Sequence, residues 1–166
     1  MSTRWKPNVT VAAIIEREGR FLLVEEETPE GLRLNSPAGH LDPGESPVQG
    51  CAREALEETA HPFEPTALVG VYLSRTPKSG NSENGEDITY LRFAFCGRLG
   101  ERESGRALDH GIVRTVWMTP EEIRASTARH RSPMVLRCVE DYLAGARHPL
   151  SLIHTDASVT EGTSPA

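Results

Sequence analysis

Residues 39–61, GHLDPGESPVQGCAREALEETAH, hold the densest local signals in the chain. Ser46 is a strong N-cap, Pro47 suits the first helical position, and Gln49 completes a capping box with Ser46. These signals predict a helix from Pro47 to about Thr59, with Gly50 its one weak position. On that helix Glu54, Glu57 and Glu58 stand at i, i+3 and i+4, so three carboxylates share one side. Like charges at that spacing destabilise a bare helix, and a positive partner is expected among them. A hard divalent cation fits, since Mg²⁺ is usually held by carboxylates together with the oxygens of a substrate phosphate. The ordinary alternative for such a charge run is a solvated acidic face. Two features weigh against it. Arg53 lies one turn before Glu57 and has Glu45 across the loop, which reads as an orienting ion pair. Residues 37–44, PAGHLDPG, mix rigid and flexible positions, as a shaped turn delivering Glu45 needs.

The pattern G-x5-E-x7-R-E-x-x-E-E resembles the signature of the Nudix hydrolases, met here at Gly39, Glu45, Arg53, Glu54, Glu57 and Glu58. The resemblance implies an α/β fold, a Nudix-like α/β/α sandwich with a mixed β-sheet between helices. It also implies Mg²⁺- or Mn²⁺-dependent hydrolysis of a phosphoanhydride in a nucleoside diphosphate derivative. Glu54, Glu57 and Glu58 would then be metal ligands. The catalytic set it implies is Glu57, Glu58, Arg53 and Glu45, with Arg53 and Glu45 keeping loop and helix in register. Beyond the signature, residues 5–26, 34–46 and 131–153 look like the bacterial NudJ-type phosphatases, a similarity that runs from about Trp5 to Ile153. That subgroup implies release of orthophosphate from nucleoside tri- and diphosphates and from thiamine-type diphosphates. The alternatives are a Nudix pyrophosphohydrolase acting on ADP-ribose or another nucleoside diphosphate derivative, and a non-catalytic Nudix-fold binding module. Against the last stands the complete set of carboxylates. The sequence departs from the family pattern at Ala60, where a glycine is usual, and at His61. A left-handed Ala60 costs about 1 kcal/mol. Pro62 stops the helix regardless, so the ligand positions are expected to stay intact.

The chemistry makes demands of its own. A polyphosphate chain is strongly anionic and repels an attacking water, and cations that bridge its oxygens relieve that repulsion. A carboxylate that orients or deprotonates the water contributes about 10²–10⁴-fold. Glu57 or Glu58 can serve, and family members also use an acid from a later loop. Asp109 is the first such candidate for an extra base, followed by Asp87, Glu101 and Glu103; each is also readable as an ordinary exposed acid. Substrate contacts are expected around Gly39 and His40, with Arg33 and Asn35 in reach of a phosphate or base. Arg75 and Arg92 are candidate phosphate clamps, and Trp5 a candidate stacking surface beside Lys6. His61, His110, His130, His148 and His154 show no ligand spacing among themselves and are assigned no site.

At 166 residues the chain suits one domain, assigned to 1–154 with a disordered tail over 155–166. Its net charge of −6 argues against a nucleic-acid binder and leaves a small-molecule substrate as the expected partner, for a monomer or homodimer. Cys51, Cys96 and Cys138 form no CxxC pair, so reduced cysteines of a cytoplasmic protein are expected. No apolar run is long enough to cross a membrane, and the first residues lack a signal core. Val9–Glu18 and Arg20–Glu26 read as a hairpin turning at Glu18-Gly19, and Leu32–Asn35 as a short strand. Further strands are expected at Ala67–Arg75, Ile88–Leu99 and Ile112–Met118, with Pro77–Asp87 a projecting polar loop. Thr119-Pro120 opens a second helix, and Pro133–Ala146 a third.

Overall fold

From Val9 to Ile15 every residue but Thr10 is apolar, and from Thr10 onward the whole run is buried. A strand buried on both faces belongs in the middle of a covered sheet. The computed structural model, which describes residues 4–76 and 87–161, places β1 (Asn8–Ile14) there. Its neighbours are β5 (Ala38–His40) on one side and β7 (Ile88–Leu99) on the other, and β7 pairs in turn with β6 (Phe63–Thr76). The β1–β7 pairing is parallel and the other two are antiparallel, so the sheet is mixed.

Side chains alternate across it. Val11, Ala13 and Ile15 join Cys51 and Ala55 of α1 (Pro47–Thr59) in one apolar cluster. Ala12 and Ile14 face Val135, Cys138 and Val139 of α3 (Met134–Leu143) in another. Helices therefore cover both faces, the α/β/α arrangement expected. The buried positions of α1 include the small residues Gly50, Cys51, Ala55 and Thr59, which let its backbone approach β1 closely. A leucine at Ala55 would overfill that contact, at a cost of about 1–3 kcal/mol.

A second, antiparallel sheet has β3 (Arg20–Thr28) between β4 (Gly31–Asn35) and β8 (Ile112–Met118), with β2 (Glu16–Arg17) on the start of β3. The hairpin turn at Glu18-Gly19 is present, both residues having positive φ. The expected single hairpin is not. Both edges of β1 are taken by β5 and β7, so the chain leaves that sheet at Ile15 and only Glu16–Arg17 remain to pair with β3.

Helix α2 (Pro120–Ala125) starts at Thr119, whose side chain accepts from the Glu122 N–H while Glu122 reaches back to the Thr119 N–H. The third helix is shorter than the span 133–146. The segment expected to be a disordered tail contains one helical turn, α4 (Ala157–Thr160), because Asp156 accepts from the Ser158 N–H and caps it. The projecting loop 77–87 lies, but for Asp87, outside the described residues. All three cysteines are buried and free. Among the described residues no helix is long and apolar enough to cross a membrane.

Candidate active site

The capping box forms as its residue types dictate: Ser46 Oγ accepts from the Gln49 N–H at 3.1 Å, and Gln49 Oε1 accepts from the Ser46 N–H at 2.8 Å. It fixes the first turn of α1, and so the phase of every later side chain. One turn and a half on, Arg53 gathers the acids. Its Nε and Nη2 donate to Glu45 at 2.9 and 2.7 Å, and its Nη1 donates to Glu54 at 2.8 Å and Glu57 at 3.0 Å. Nη2 also reaches the His40 carbonyl at 3.0 Å. One guanidinium thus ties the loop, the end of β5 and the helix together, a fork that lysine cannot imitate.

Two glycines make the approach feasible. A Cβ on Gly39 would lie 2.2 Å from the Glu54 carboxylate carbon, so any other residue there would require that side chain or β5 to shift. A Cβ on Gly50 would stand 2.7 Å from Glu45 Oε1. Gly50, the weak helical position, is where the incoming carboxylate rests against the helix.

Glu58 is 6% exposed and accepts from the Ala38 N–H at 2.9 Å. Burial, with the negative charges of Glu54, Glu26 and Asp109, pushes its carboxyl up to about 8 despite that hydrogen bond. Burial also raises Glu54; Arg53 opposes the rise, while Glu57 and Asp109 add to it. At Glu45 burial is outweighed by Arg53 and by the Asp42 N–H, which leaves it below the ordinary carboxylate range. The site is therefore most in need of positive charge at Glu58, whereas Glu45 and Glu54 share Arg53.

Asp109 arrives by way of the backbone. Helix α1 ends at Ala60, which is left-handed at φ 60°, and its last carbonyls need donors. The segment between β7 and β8 supplies them: Glu103 N–H donates to Ala60 O at 2.8 Å and Asp109 N–H to Glu57 O at 2.9 Å. The same strap carries the Asp109 carboxylate close enough to act on Glu54 and Glu58.

Other candidates are placed elsewhere. Arg33 is engaged by Glu30 at 3.4 Å and by the Leu32 carbonyl at 3.2 Å. Asn35 is buried at the end of β4, close enough to Glu26 to act on its carboxyl. The His40 ring is exposed, 6.2 Å from the Tyr90 ring. Arg75 pairs with Asp87 at 2.5 Å, and Glu103 with Arg106 at 2.9 Å. Glu101, Lys6 and Trp5 are all exposed, Trp5 at 67%. Arg92 lies on the face of β7 shared by Ala94 and Cys96, which packs against α3, and is within electrostatic reach of Cys138. Sequence reasoning missed Glu26, which lies near Glu58; its signal was an acidic run, Glu25-Glu26-Glu27, following the apolar stretch from Phe21 to Val24 within β3.

The donor set suits a hard cation: three carboxylates on consecutive turns of one helix, the buried Glu58 among them raised by burial and by its acidic neighbours. Among the described residues no three His, Cys, Asp or Glu side chains are already drawn together around a single point. In this arrangement Arg53 occupies one oxygen of Glu54 and one of Glu57.

Comparison with known proteins agrees with the architecture. The NUDIX domain model matches residues 5–138. Phosphatase NudJ of Escherichia coli is 34% identical over 149 residues, covering 90% of this chain and 92% of that protein. A NUDIX hydrolase from Nitrosomonas europaea is 50% identical with a TM-score of 0.82, covering 91% of this chain and 98% of its own. A MutT NUDIX hydrolase from Burkholderia pseudomallei shares the fold, with a TM-score of 0.63 at 19% identity over 82% of this chain and 98% of its own. With its domain match, its relatives and its fold in agreement, the chain belongs to the Nudix hydrolase family.

Proposed function

We propose that this protein is a divalent-cation-dependent phosphatase that releases orthophosphate from nucleoside tri- and diphosphates and from thiamine-type diphosphates. The observation that carries the chemistry is the web of Arg53 with Glu45, Glu54 and Glu57, set beside the buried Glu58. The orthophosphate product is supported by the likeness to phosphatase NudJ over 90% of the chain.

Glu54, Glu57 and Glu58 would hold Mg²⁺ or Mn²⁺, whose charge would offset that of the polyphosphate oxygens. The remaining work falls to the chain. Arg53 fixes the rotamers of Glu54 and Glu57 and, through Glu45, the position of the loop. Gly39 leaves room for Glu54, and the loop 39–44 would present its backbone to the phosphates. Asp109, held by Glu57 O, is the candidate acceptor for a proton from the attacking water, and Glu57 or Glu58 are the alternatives. His40, Arg33 and Asn35 are the candidate substrate contacts. Residues 1–154 would form the single domain, acting in the cytoplasm as a monomer or homodimer.

The test is turnover with Mg²⁺ and with Mn²⁺ on thiamine diphosphate, CTP, GDP and ADP-ribose, with orthophosphate and pyrophosphate scored separately. Orthophosphate from the first three supports the proposal. Cleavage confined to ADP-ribose, or pyrophosphate as product, would replace it with the pyrophosphohydrolase reading.

A further inference from the structure

Among the described residues the least accessible carboxylate is Glu25 of β3, 4% exposed against 6% for Glu58 and 8% for Glu54. It takes no part in the proposed chemistry. Taking a carboxylate out of water is costly, and an apolar residue of similar volume is often as stable in such a place. Stability alone therefore gives no account of Glu25; its partners do. In the register of the second sheet it stands between Arg114 of β8 and Leu34 of β4. Arg114 Nε donates to Glu25 Oε2 at 2.6 Å, and Arg129, which ends the 3₁₀ turn Thr127–Arg129, donates from Nη2 to Oε1. The chain then runs along the outer edge of β4. Leu34 and His130 form a parallel bridge, and the Arg131 N–H donates to the Leu34 carbonyl at 2.8 Å. Arg131 Nε lies 3.3 Å from Glu26 Oε1.

Neighbouring residues on a strand point to opposite faces. Glu25 therefore shares the face of Leu23 and Leu34, which belong to the core cluster of α3, while Glu26 lies on the side of Glu58. Arg129 and Arg131 straddle β4, one on each face, with their backbone along its edge. Arg33 and Asn35 alternate with Leu34 and so share the face of Glu26.

We propose that Glu25 is a positioning residue for substrate binding: through Arg129 it holds residues 129–131 against β4 and so keeps Arg33 and Asn35 in place. The inference rests on the phosphatase reading and adds to it a residue, remote from the acidic helix, on which affinity depends. A guanidinium bound to a buried carboxylate is poorly screened, so this tie is stiffer than the more exposed pair of Arg131 with Glu26. Cutting it leaves Arg129, its side chain 49% exposed, free to turn to water, so the segment loosens while the core stays packed. Arg114 meets Glu25 from β8, across β3 from Arg33 and Asn35. The two arginines on one carboxylate should thus differ in their effect on the substrate.

The experiment is steady-state kinetics of the full-length protein, with Mg²⁺, on the compound the parent cleaves best, beside amide hydrogen exchange at Arg131. The variants are Glu25→Gln, Arg129→Gln, Arg129→Lys and Arg114→Gln. Glu25→Gln and Arg129→Gln should each raise KM about tenfold with kcat within about twofold, as a loss of binding common to ground and transition states does. Both should also speed exchange at the Arg131 N–H about tenfold, since the bond to Leu34 opens more often. Arg129→Lys should recover part of each loss. Arg114→Gln should change neither, although it removes a bond to the same carboxylate. If Glu25→Gln does not fold, the half-exposed Arg129 carries the comparison. Unchanged KM in folded Arg129→Gln, an equal rise in Arg114→Gln, or unchanged exchange at Arg131 would make Glu25 an ordinary buried ion pair and overturn the proposal. No turnover by the parent on thiamine diphosphate, CTP, GDP or ADP-ribose would sink the phosphatase reading instead, and the exchange comparison would then decide the anchor by itself.

Discussion

Arg53 grips both carboxylate oxygens of Glu45 in a parallel fork, Nε to Oε2 at 2.9 Å and Nη2 to Oε1 at 2.7 Å. Seven residues of loop and helix lie between the two, so the fork closes the loop against the helix. The Arg53 side chain is only 26% exposed and that of Glu45 14%, which shields the pair from the screening that makes surface ion pairs weak. The loop geometry around Gly39 thus depends on side chains that lie behind the three clustered acids.

Glu45→Gln should therefore lower kcat by about 10–100-fold, the usual cost of losing a partner that orients ligands. Arg53→Lys should do likewise, because a point charge cannot bridge Glu45, Glu54 and Glu57 at once. Steady-state kinetics beside a melting curve checks this. A kcat within about twofold of the parent for both variants would show that the fork does not position the site.

Gly39→Ala should be more harmful than its size suggests. The added methyl meets the Glu54 carboxylate at about 2.2 Å, so the strand or the acid must move. A displacement of about 1 Å near reacting groups costs on the order of 100-fold in rate. The expected result is that loss in kcat with a folded protein; unchanged kcat would mean that Glu54 relocates freely.

Ala60→Gly should change stability little, although it restores the residue usual at a left-handed helix end. Removing the strain at φ 60° gains about 1 kcal/mol. Ala60 is fully buried, however, and deleting its methyl costs about 0.8 kcal/mol. A shift in Tm of less than about 3 °C is expected. A clear gain in Tm would show that the methyl contributes nothing to packing.

Glu58 makes the cation-free protein sensitive to pH. Its folded value of about 8 lies above the ordinary carboxylate value, so the folded state holds its proton more tightly than the unfolded one. Its contribution is fully present below about pH 4 and is lost as pH rises towards 8. In chelator, Glu58→Gln should therefore melt several degrees higher than the parent at pH 8, and the difference should vanish near pH 4. Saturating Mg²⁺ should narrow the gap at pH 8 by stabilising the parent. A parent whose Tm in chelator does not depend on Glu58 at pH 8 would contradict the raised value.

The limits of α1, β7 and β8 were legible because capping residues, Gly and Pro, and runs of β-branched residues mark them locally. The acidic triplet and its arginine were legible for the same reason, being defined by spacing along one helix. Pairing across the chain was not. Ala38-Gly39-His40 has no strand signal of its own, yet it aligns with Thr10–Ala12 as β5. The run Val9–Glu18 gives no hint that its two ends enter different sheets, because that depends on which edges of β1 are already occupied. Asp109 stood out only as a loop acid; its approach to α1 depends on main-chain hydrogen bonds to Glu57 and Ala60, which no side chain announces. Arg92 looked like a clamp for phosphate, and its inward direction follows from the alternation of β7 against α3.

The most direct measurement is the turnover of Glu57→Gln, with Mg²⁺, on the substrate the parent cleaves best. Glu57 is the most exposed of the three clustered acids, its side chain 37% accessible, so the substitution should leave the melting temperature within a few degrees of the parent. The proposal predicts that kcat falls at least about 10³-fold while the fold persists, since a carboxylate that holds the cation has been replaced by a neutral amide. Turnover at the parent's rate would contradict the assignment of the Glu54, Glu57 and Glu58 face as the catalytic centre.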